Sequence, residues 1–452
     1  MDPITIGILG LVVLIALIAI RIPIAYSMIL VGGVGFMIVS GPAFLFSQLK
    51  TLGWGVFSNY GLSVVPMFVL MGALAARAGL SQALFRGANA WLGWIRGGTA
   101  MAAIAGCAGF GAVCGSSLAT ASTMGKVALP ELKRFNYSGA LATGSLAAGG
   151  VLGILIPPSV VLIIYAIIVE ANIVTMFAAA MIPGVLAVIL FILTIAVYVA
   201  IKPDAGPKHG GVDFKEWRDA TLGMVPVAVI FGLVLGGIYG GIFNPTPAAA
   251  VGAALVWVYG TFKGRLGLSA IVESLKETAG TTGMIYLILL GAELMKIFMS
   301  RIGLPQATAE WIANSGMAPF VIVAILLLAL ILLGCLMDSL SMILLVIPFF
   351  WPVLVEINGG LYMPAEGSGF GMSTEDLKIW FGILALIVVE LGLITPPVGM
   401  NVFVISALAK ETPMSETFKG VLPFFAAEIV RVTILFSFPV VTLWLPKLIE
   451  GW

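Results

Sequence analysis

Charge is what this chain has least of. Only 10% of its 452 residues are Asp, Glu, Lys or Arg, where a soluble domain carries about 25%. The formal net charge of +1 provides no basic surface, so no nucleic acid is expected as a partner. Histidine is represented by His209 alone, within a polar stretch, so paired histidine ligands of a membrane haem or copper enzyme are excluded. The three cysteines, Cys107, Cys114 and Cys335, have no C-x-x-C spacing. They imply no disulfide framework and read as buried, inert thiols. A membrane-embedded enzyme or redox-pump subunit would need a ligand cluster, a catalytic dyad or a chain of buried acids. A serine hydrolase would need a base beside its serine. Neither pattern is evident, so no catalytic residue and no cofactor are expected.

What the chain has is apolar length. Hydrophobic residues make up 61% of it, glycine contributes 55 residues, and mean hydropathy is +1.15. These values fit a bilayer as solvent, with glycine where helices pack closely or break. Since about 20 apolar residues cross a bilayer, an all-α integral membrane protein is predicted. Spans are placed near 4–20, 23–46, 55–76, 138–170, 174–201, 220–240, 246–262, 279–299, 379–409 and 421–446. The first has no basic residue before it and no A-x-A cleavage site after it, so it reads as a retained helix. Residues 97–132 and 317–355 are apolar with a polar cluster in the middle. Each is short for two full spans and reads as a re-entrant hairpin. Such backbone at depth requires burial in protein or a wet cavity.

With the N-terminus outside, 15 lysines and arginines face the cytoplasm and four (Lys50, Arg301, Lys378, Lys447) face out, a clear positive-inside bias. Both termini are then periplasmic. The polar stretch 202–219 is a cytoplasmic linker between a first half, 1–201, and a second, 220–452. Each half has five crossings and one hairpin, so the second enters the membrane from the opposite side, the signature of inverted-topology repeats. Short matches run in register. Arg77-Ala-Gly-Leu-Ser-Gln-Ala83 resembles Arg301-Ile-Gly-Leu-Pro-Gln-Ala307, Ser116-Ser-Leu resembles Asp338-Ser-Leu, and Ile156-Pro-Pro resembles Thr395-Pro-Pro.

The candidate chemistry lies at the hairpin tips and the Pro-Pro breaks. The first tip carries Ser116, Ser117 and Thr120, and the second carries Asp338, Ser339 and Ser341. The half-helix after each tip points its free N–H groups and positive end at whatever binds there. Alternatively, such hydroxyls bond only the backbone one turn back. Pro157-Pro158 in 138–170 and Pro396-Pro397 in 379–409 break their helices. The breaks free carbonyls that could coordinate a cation beside Ser159, Thr395 and Asn401, with Gly153 and Gly399 giving room. Asp338 stands out because an intramembrane charge is costly and usually functional. Glu390 is left open between a cation or proton site and a partner for a basic residue. Lys126, Lys296, Glu428 and Arg431 are expected nearer the interfaces, where long side chains snorkel, and Glu293 and Lys296 could pair along one helix. No arginine lies at either tip, so an anionic substrate would be held by helix N-termini, hydroxyls and bound cations, with sodium as the natural ion.

The segments Val65-Pro-Met-Phe-Val-Leu-Met-Gly72, Gly111–Thr123, Gly149–Ser159, Gly334–Pro348 and Leu393-Ile-Thr-Pro-Pro-Val-Gly-Met-Asn401 carry a resemblance over nearly the whole chain. It resembles the large membrane subunit of tripartite ATP-independent periplasmic (TRAP) transporters, the DctM family. The resemblance implies an elevator transporter of the bacterial inner membrane that couples organic-acid uptake, of C4-dicarboxylate or sugar-acid type, to sodium. It implies two partners: a small four-helix membrane subunit and a periplasmic solute-binding protein. Because residue 1 opens directly into the first helix, the small subunit is expected on a separate chain. Sodium would be bound at Ser116, Ser117, Gly153, Pro157 and Ser159 in one half, and at Asp338, Ser339, Thr395, Gly399 and Asn401 in the other. Substrate would lie between the tips, against Ser116, Ser117, Thr120, Asp338, Ser341 and Asn401. A stand-alone sodium- or proton-coupled carboxylate carrier is the alternative. A passive channel suits two cation-type hairpins less well than alternating access does.

Overall fold

The computed structural model describes residues 2–208, 210–211, 213–314 and 316–450; His209, assigned to the linker, lies outside the described residues. Among the described residues every regular element is helical. Six helices are long and apolar enough to cross a membrane, and a seventh span results if one bent pair is counted as a unit.

The chain opens with α1 (Pro3–Ala19) and α2 (Ile24–Ser40). Gly41, at φ 87°, ends α2, and Pro42 starts α3 (Pro42–Phe57). A left-handed glycine followed by proline at the first helical position stops one helix and begins another, so the span expected over 23–46 ends at Ser40. Phe44, Phe46, Trp54 and Phe57 of α3 are exposed. A 3₁₀ turn leads to α4 (Val64–Ala78), then α5 (Leu80–Leu92), a helix lying between the expected span 55–76 and the hairpin 97–132. The first hairpin is α6 (Gly98–Cys114) and α7 (Ser117–Arg134). The first broken span is α8 (Gly139–Leu155) and α9 (Val160–Val169), bent by 44°. α10 (Ile173–Ile201) follows.

The linker is shorter than 202–219, because α11 (Phe214–Tyr239) begins inside it. The cause is contact with α5. The Trp91 and Trp217 rings lie 5.0 Å apart, and Trp91 Nε1 donates to Thr221 Oγ1 at 3.2 Å. Next come α12 (Pro245–Phe262) and α13 (Leu268–Arg301). With 34 residues α13 extends well past the expected 279–299; at 1.5 Å per residue it is about 50 Å long, more than a bilayer core. α14 (Leu304–Asn314) precedes the second hairpin, α15 (Pro319–Gly334) and α16 (Ser339–Asn358). α16 is itself long and apolar enough to cross, deeper than a short re-entrant arm. The second broken span is α17 (Thr374–Gly392) and α18 (Met400–Leu408). The last expected span, 421–446, is two helices, α19 (Met414–Ser437) and α20 (Val440–Glu450). Pro439 cannot continue the helix, and Phe438 before it takes φ −127°, ψ 76°.

The order long helix, short helix, hairpin, broken span, long helix thus occurs in α4–α10 and again in α13–α19. Packing is reciprocal: α2 lies on α13 and α12 on α4, α19 on α8 and α10 on α17, α18 on α7 and α9 on α16. Glycines allow the closest approaches; a Cβ on Gly144 would stand 2.4 Å from the Gly420 carbonyl carbon.

Two charges depart from expectation. Glu428 and Arg431 are wholly buried inside the protein and do not snorkel; they pair with each other, and Arg431 Nη1 also donates to the Pro183 carbonyl at 3.3 Å. A guanidinium held by a carboxylate and a carbonyl does not need to reach water. Lys296 pairs with Glu293 at 3.7 Å, as the spacing predicts, and Lys126 is exposed.

Candidate functional site

Each tip is built by a helix cap. Gly115, at φ 65°, ends α6, and Ser116 caps α7 by accepting the Ala119 N–H at 3.5 Å. In the second half Asp338 caps α16. Its carboxylate accepts the Ser341 N–H at 3.1 Å and the Ser341 hydroxyl at 2.5 Å. The positive end of α16 favours a carboxylate there, so the costly intramembrane charge is offset locally.

The next residue of each tip reaches a shared partner. Ser117 Oγ donates to Oε2 of Glu390, and Ser339 Oγ donates to Oε1 of the same carboxylate. Glu390 is completely buried near the end of α17. A single side chain therefore joins a hairpin from each half. Sequence reasoning singled out Glu390 but had no signal for its partners, because they are 273 and 51 residues away in the chain.

The first break packs onto the first tip. A Cβ on Gly115 would stand 3.3 Å from the Pro158 carbonyl oxygen, and one on Gly153 would stand 2.5 Å from Thr120 Oγ1 and 2.8 Å from the Ser116 carbonyl oxygen. Pro157 is buried in that break, and Ser159 caps α9 by accepting the Leu162 N–H at 3.3 Å. Ser116, Thr120, Gly153, Pro157 and Ser159 are thus one neighbourhood.

The second break is arranged differently. Thr395 donates to the Leu391 carbonyl at 2.6 Å, one turn back, while Pro396 and Pro397 are exposed. Gly399, at φ 59°, is the cap residue of α18 and faces Phe418. Asn401 crosses to the other half. Its Nδ2 donates to the Ala147 carbonyl at 3.3 Å, its Oδ1 has no partner within the protein, and it lies against Gly150 close to the Ser117 carbonyl.

A cavity of about 460 Å³ opens between the tips, α4 and α13, within the size range of small-molecule sites. Ser116, Ser117, Asp338 and Ser339 line it; Thr120, Ser341, Thr395, Gly399 and Asn401 do not. Glu277 and Thr281 of α13 supply polar groups that sequence reasoning missed, and Cys114, expected to be buried, is half-buried in the wall. Glu277 is paired with Arg77 at 2.8 Å, and Glu273 lies 3.8 Å from the same guanidinium. The extra length of α13 carries both acids past the end of α4, a juxtaposition with no local signature. Hydroxyls, two carboxylates and the N-termini of α7 and α16 therefore share one small space. Among the described residues, no cluster of His, Cys, Asp and Glu has the form of a metal centre.

The profile of the family described as tripartite ATP-independent periplasmic transporter, DctM component, matches residues 11–441. The chain is 34% identical to the C4-dicarboxylate TRAP transporter large permease protein DctM of Pseudomonas aeruginosa, over 86% of this chain and 87% of that protein. It is 30% identical to the sialic acid TRAP transporter large permease protein SiaM of Vibrio cholerae, over 95% and 96%. In fold it is similar to the Neisseria gonorrhoeae antimetabolite efflux pump MtrF, with a TM-score of 0.61 and 16% identity over 97% of this chain and 95% of that one.

Proposed function

Because the chain belongs to the DctM family, the large permease components of tripartite ATP-independent periplasmic transporters, we propose that it imports organic acids in symport with sodium. It is a membrane transport protein and not an enzyme. The substrate is a C4-dicarboxylate or a sugar acid, the cargoes named for its relatives DctM and SiaM. A periplasmic solute-binding protein delivers it, and a small four-helix membrane subunit completes the permease in the bacterial inner membrane.

The observation that carries this reading is the convergence of both capped tips on one cavity and on one carboxylate. The N-termini of α7 and α16 offer N–H groups to an anion. The lining also includes Glu277, already paired with Arg77, and Asp338, which repels an anion unless a cation offsets it. Sodium fits that role, because it favours oxygen donors of low charge, as hydroxyls and freed carbonyls provide. One sodium site is formed by Ser116, Ser117, Gly153, Pro157 and Ser159, with Asn401 reaching this side from the other half, and a second by Asp338 and Ser339 with Thr395 and Gly399 in the break after α17. Substrate then lies in the cavity against Ser116, Ser117 and Asp338, while Thr120, Ser341 and Asn401, expected there too, stand outside its lining. The reciprocal packing of α4–α10 and α13–α19 supports two inverted repeats, 1–201 and 220–452, and an elevator in which the tips and broken spans move together against a scaffold.

Uptake into proteoliposomes containing the chain and its small partner tests the reading, with labelled organic acids outside and a sodium-free lumen. Uptake that needs both inward sodium and periplasmic extract is expected. Sodium-driven uptake without extract would identify a stand-alone carrier, and uptake indifferent to sodium would overturn the symport.

A further inference from the structure

We propose that Glu390 is the positioning residue shared by the two tips, and that it couples cation occupancy at one tip to occupancy at the other. The inference rests on the sodium reading above and adds a role for a residue that is not itself a member of either ion site.

The argument starts from the hydroxyl. A serine has one hydrogen to donate and two lone pairs to offer. Ser117 and Ser339 both give their hydrogen to Glu390, so only lone pairs are left for the cavity that both residues line. Neither hydroxyl can turn its hydrogen towards a cation while that bond holds. An acceptor oxygen behind each hydroxyl, in a buried setting, polarises the serine oxygen further and makes it a better cation ligand. Partners that orient ligands in this way tune metal affinity without touching the metal.

The sharing is the second step. Ser117 begins α7 and Ser339 begins α16, yet each takes a different oxygen of one planar carboxylate. α17, which carries that carboxylate, is buried from Leu377 to Gly392. A cation that draws Ser117 forward therefore pulls on the group that sets Ser339, and the reverse. A glutamate that merely fills space and satisfies its own oxygens would need no second hairpin.

The test is a sodium titration of Glu390→Gln beside the wild type. Sodium, balanced by potassium at constant ionic strength, is read by thermal stabilisation of the purified protein and by uptake in the proteoliposomes. The amide keeps the shape but has one acceptor oxygen, so one serine has to reverse. Half-saturation is expected to rise about tenfold or more, and the Hill coefficient to fall towards unity, with the substrate KM at saturating sodium little changed. Glu390→Asp keeps both carboxyl oxygens but is too short to serve both hydroxyls. It is expected to lose cooperativity with a smaller loss of affinity, and it decides the matter if the Gln variant does not fold. A lower maximal rate with an unaltered sodium curve means a structural role and overturns the proposal. So does a wild-type curve that is already hyperbolic. A wild type that sodium neither stabilises nor drives would instead overturn the symport reading, and this inference with it.

Discussion

Asp338 illustrates how one side chain serves stability and function together. It caps α16 through Ser341 and also faces the cavity. Removing such a cap costs about 1 kcal/mol, too little to unfold a protein whose core is this extensive. Asp338→Ala and Ser116→Ala are therefore expected to insert normally and to abolish sodium-driven uptake; normal uptake by both variants would remove the tips from the site. Arg431 is the contrasting case, because it is buried outside the cavity lining and bound to Glu428 and the Pro183 carbonyl. Arg431→Met leaves Glu428 charged and unpaired, at a cost of about 3–5 kcal/mol, and should lower the melting temperature of the solubilised protein markedly. Adding Glu428→Met removes the stranded charge and should restore most of that loss. If the double variant melts no higher than the single one, the pair is not what stabilises this part of the core.

Helices were legible in the sequence where composition alone sets them, and illegible where a neighbour does. The hairpins and the break after Leu155 are signalled by Gly115, by the serines and by the proline pairs, and they lie where the sequence places them. The early end of α2 was also available in Gly41-Pro42, but an unbroken apolar run masked it. α5, the first turn of α11 and the long α13 are different, because they are fixed by ring stacking and ion pairing across the fold. The same division holds for the site. Ser116 is marked by the hydroxyl cluster at its tip and Asp338 by the cost of an intramembrane charge, whereas Glu277 and the partners of Glu390 depend on how separate helices meet. The seat of the first tip on its broken span can be tested at Gly153. A Cβ there would be 2.8 Å from the Ser116 backbone oxygen, so the tip itself has to shift, an overpacking worth about 1–3 kcal/mol. Gly153→Ala should raise the sodium concentration needed for half-maximal uptake. Gly33→Ala, where a Cβ meets nothing within 4 Å, should leave uptake unchanged. Equal behaviour of the two variants would mean that the break does not position the tip.

At the scale of the whole molecule, orientation decides which way the site can open. Fifteen of the 22 lysines and arginines fall on the side assigned to the cytoplasm and four on the other, the remaining three lying in or near membrane segments, and this bias sets topology through the charges flanking each span. With that orientation the turn between α12 and α13 is expected inside and the loop between α16 and α17 outside. Lys263 in the first and Tyr362 in the second are both exposed, so each can report its side. In a variant lacking the three native cysteines, Tyr362→Cys should react with a membrane-impermeant maleimide in intact spheroplasts. Lys263→Cys should react only after the membrane is opened. The reverse pattern would turn both halves over, put the termini in the cytoplasm, and require the solute-binding protein to dock on the face bearing Lys263. Two reactive positions on the same side would break the count of crossings between them. The inverted relationship of the halves depends on that count, because with an even number per half the second would enter the membrane from the same side as the first. One labelling experiment thus tests the charge bias, the reading of α13 as a crossing helix and the inversion on which alternating access depends.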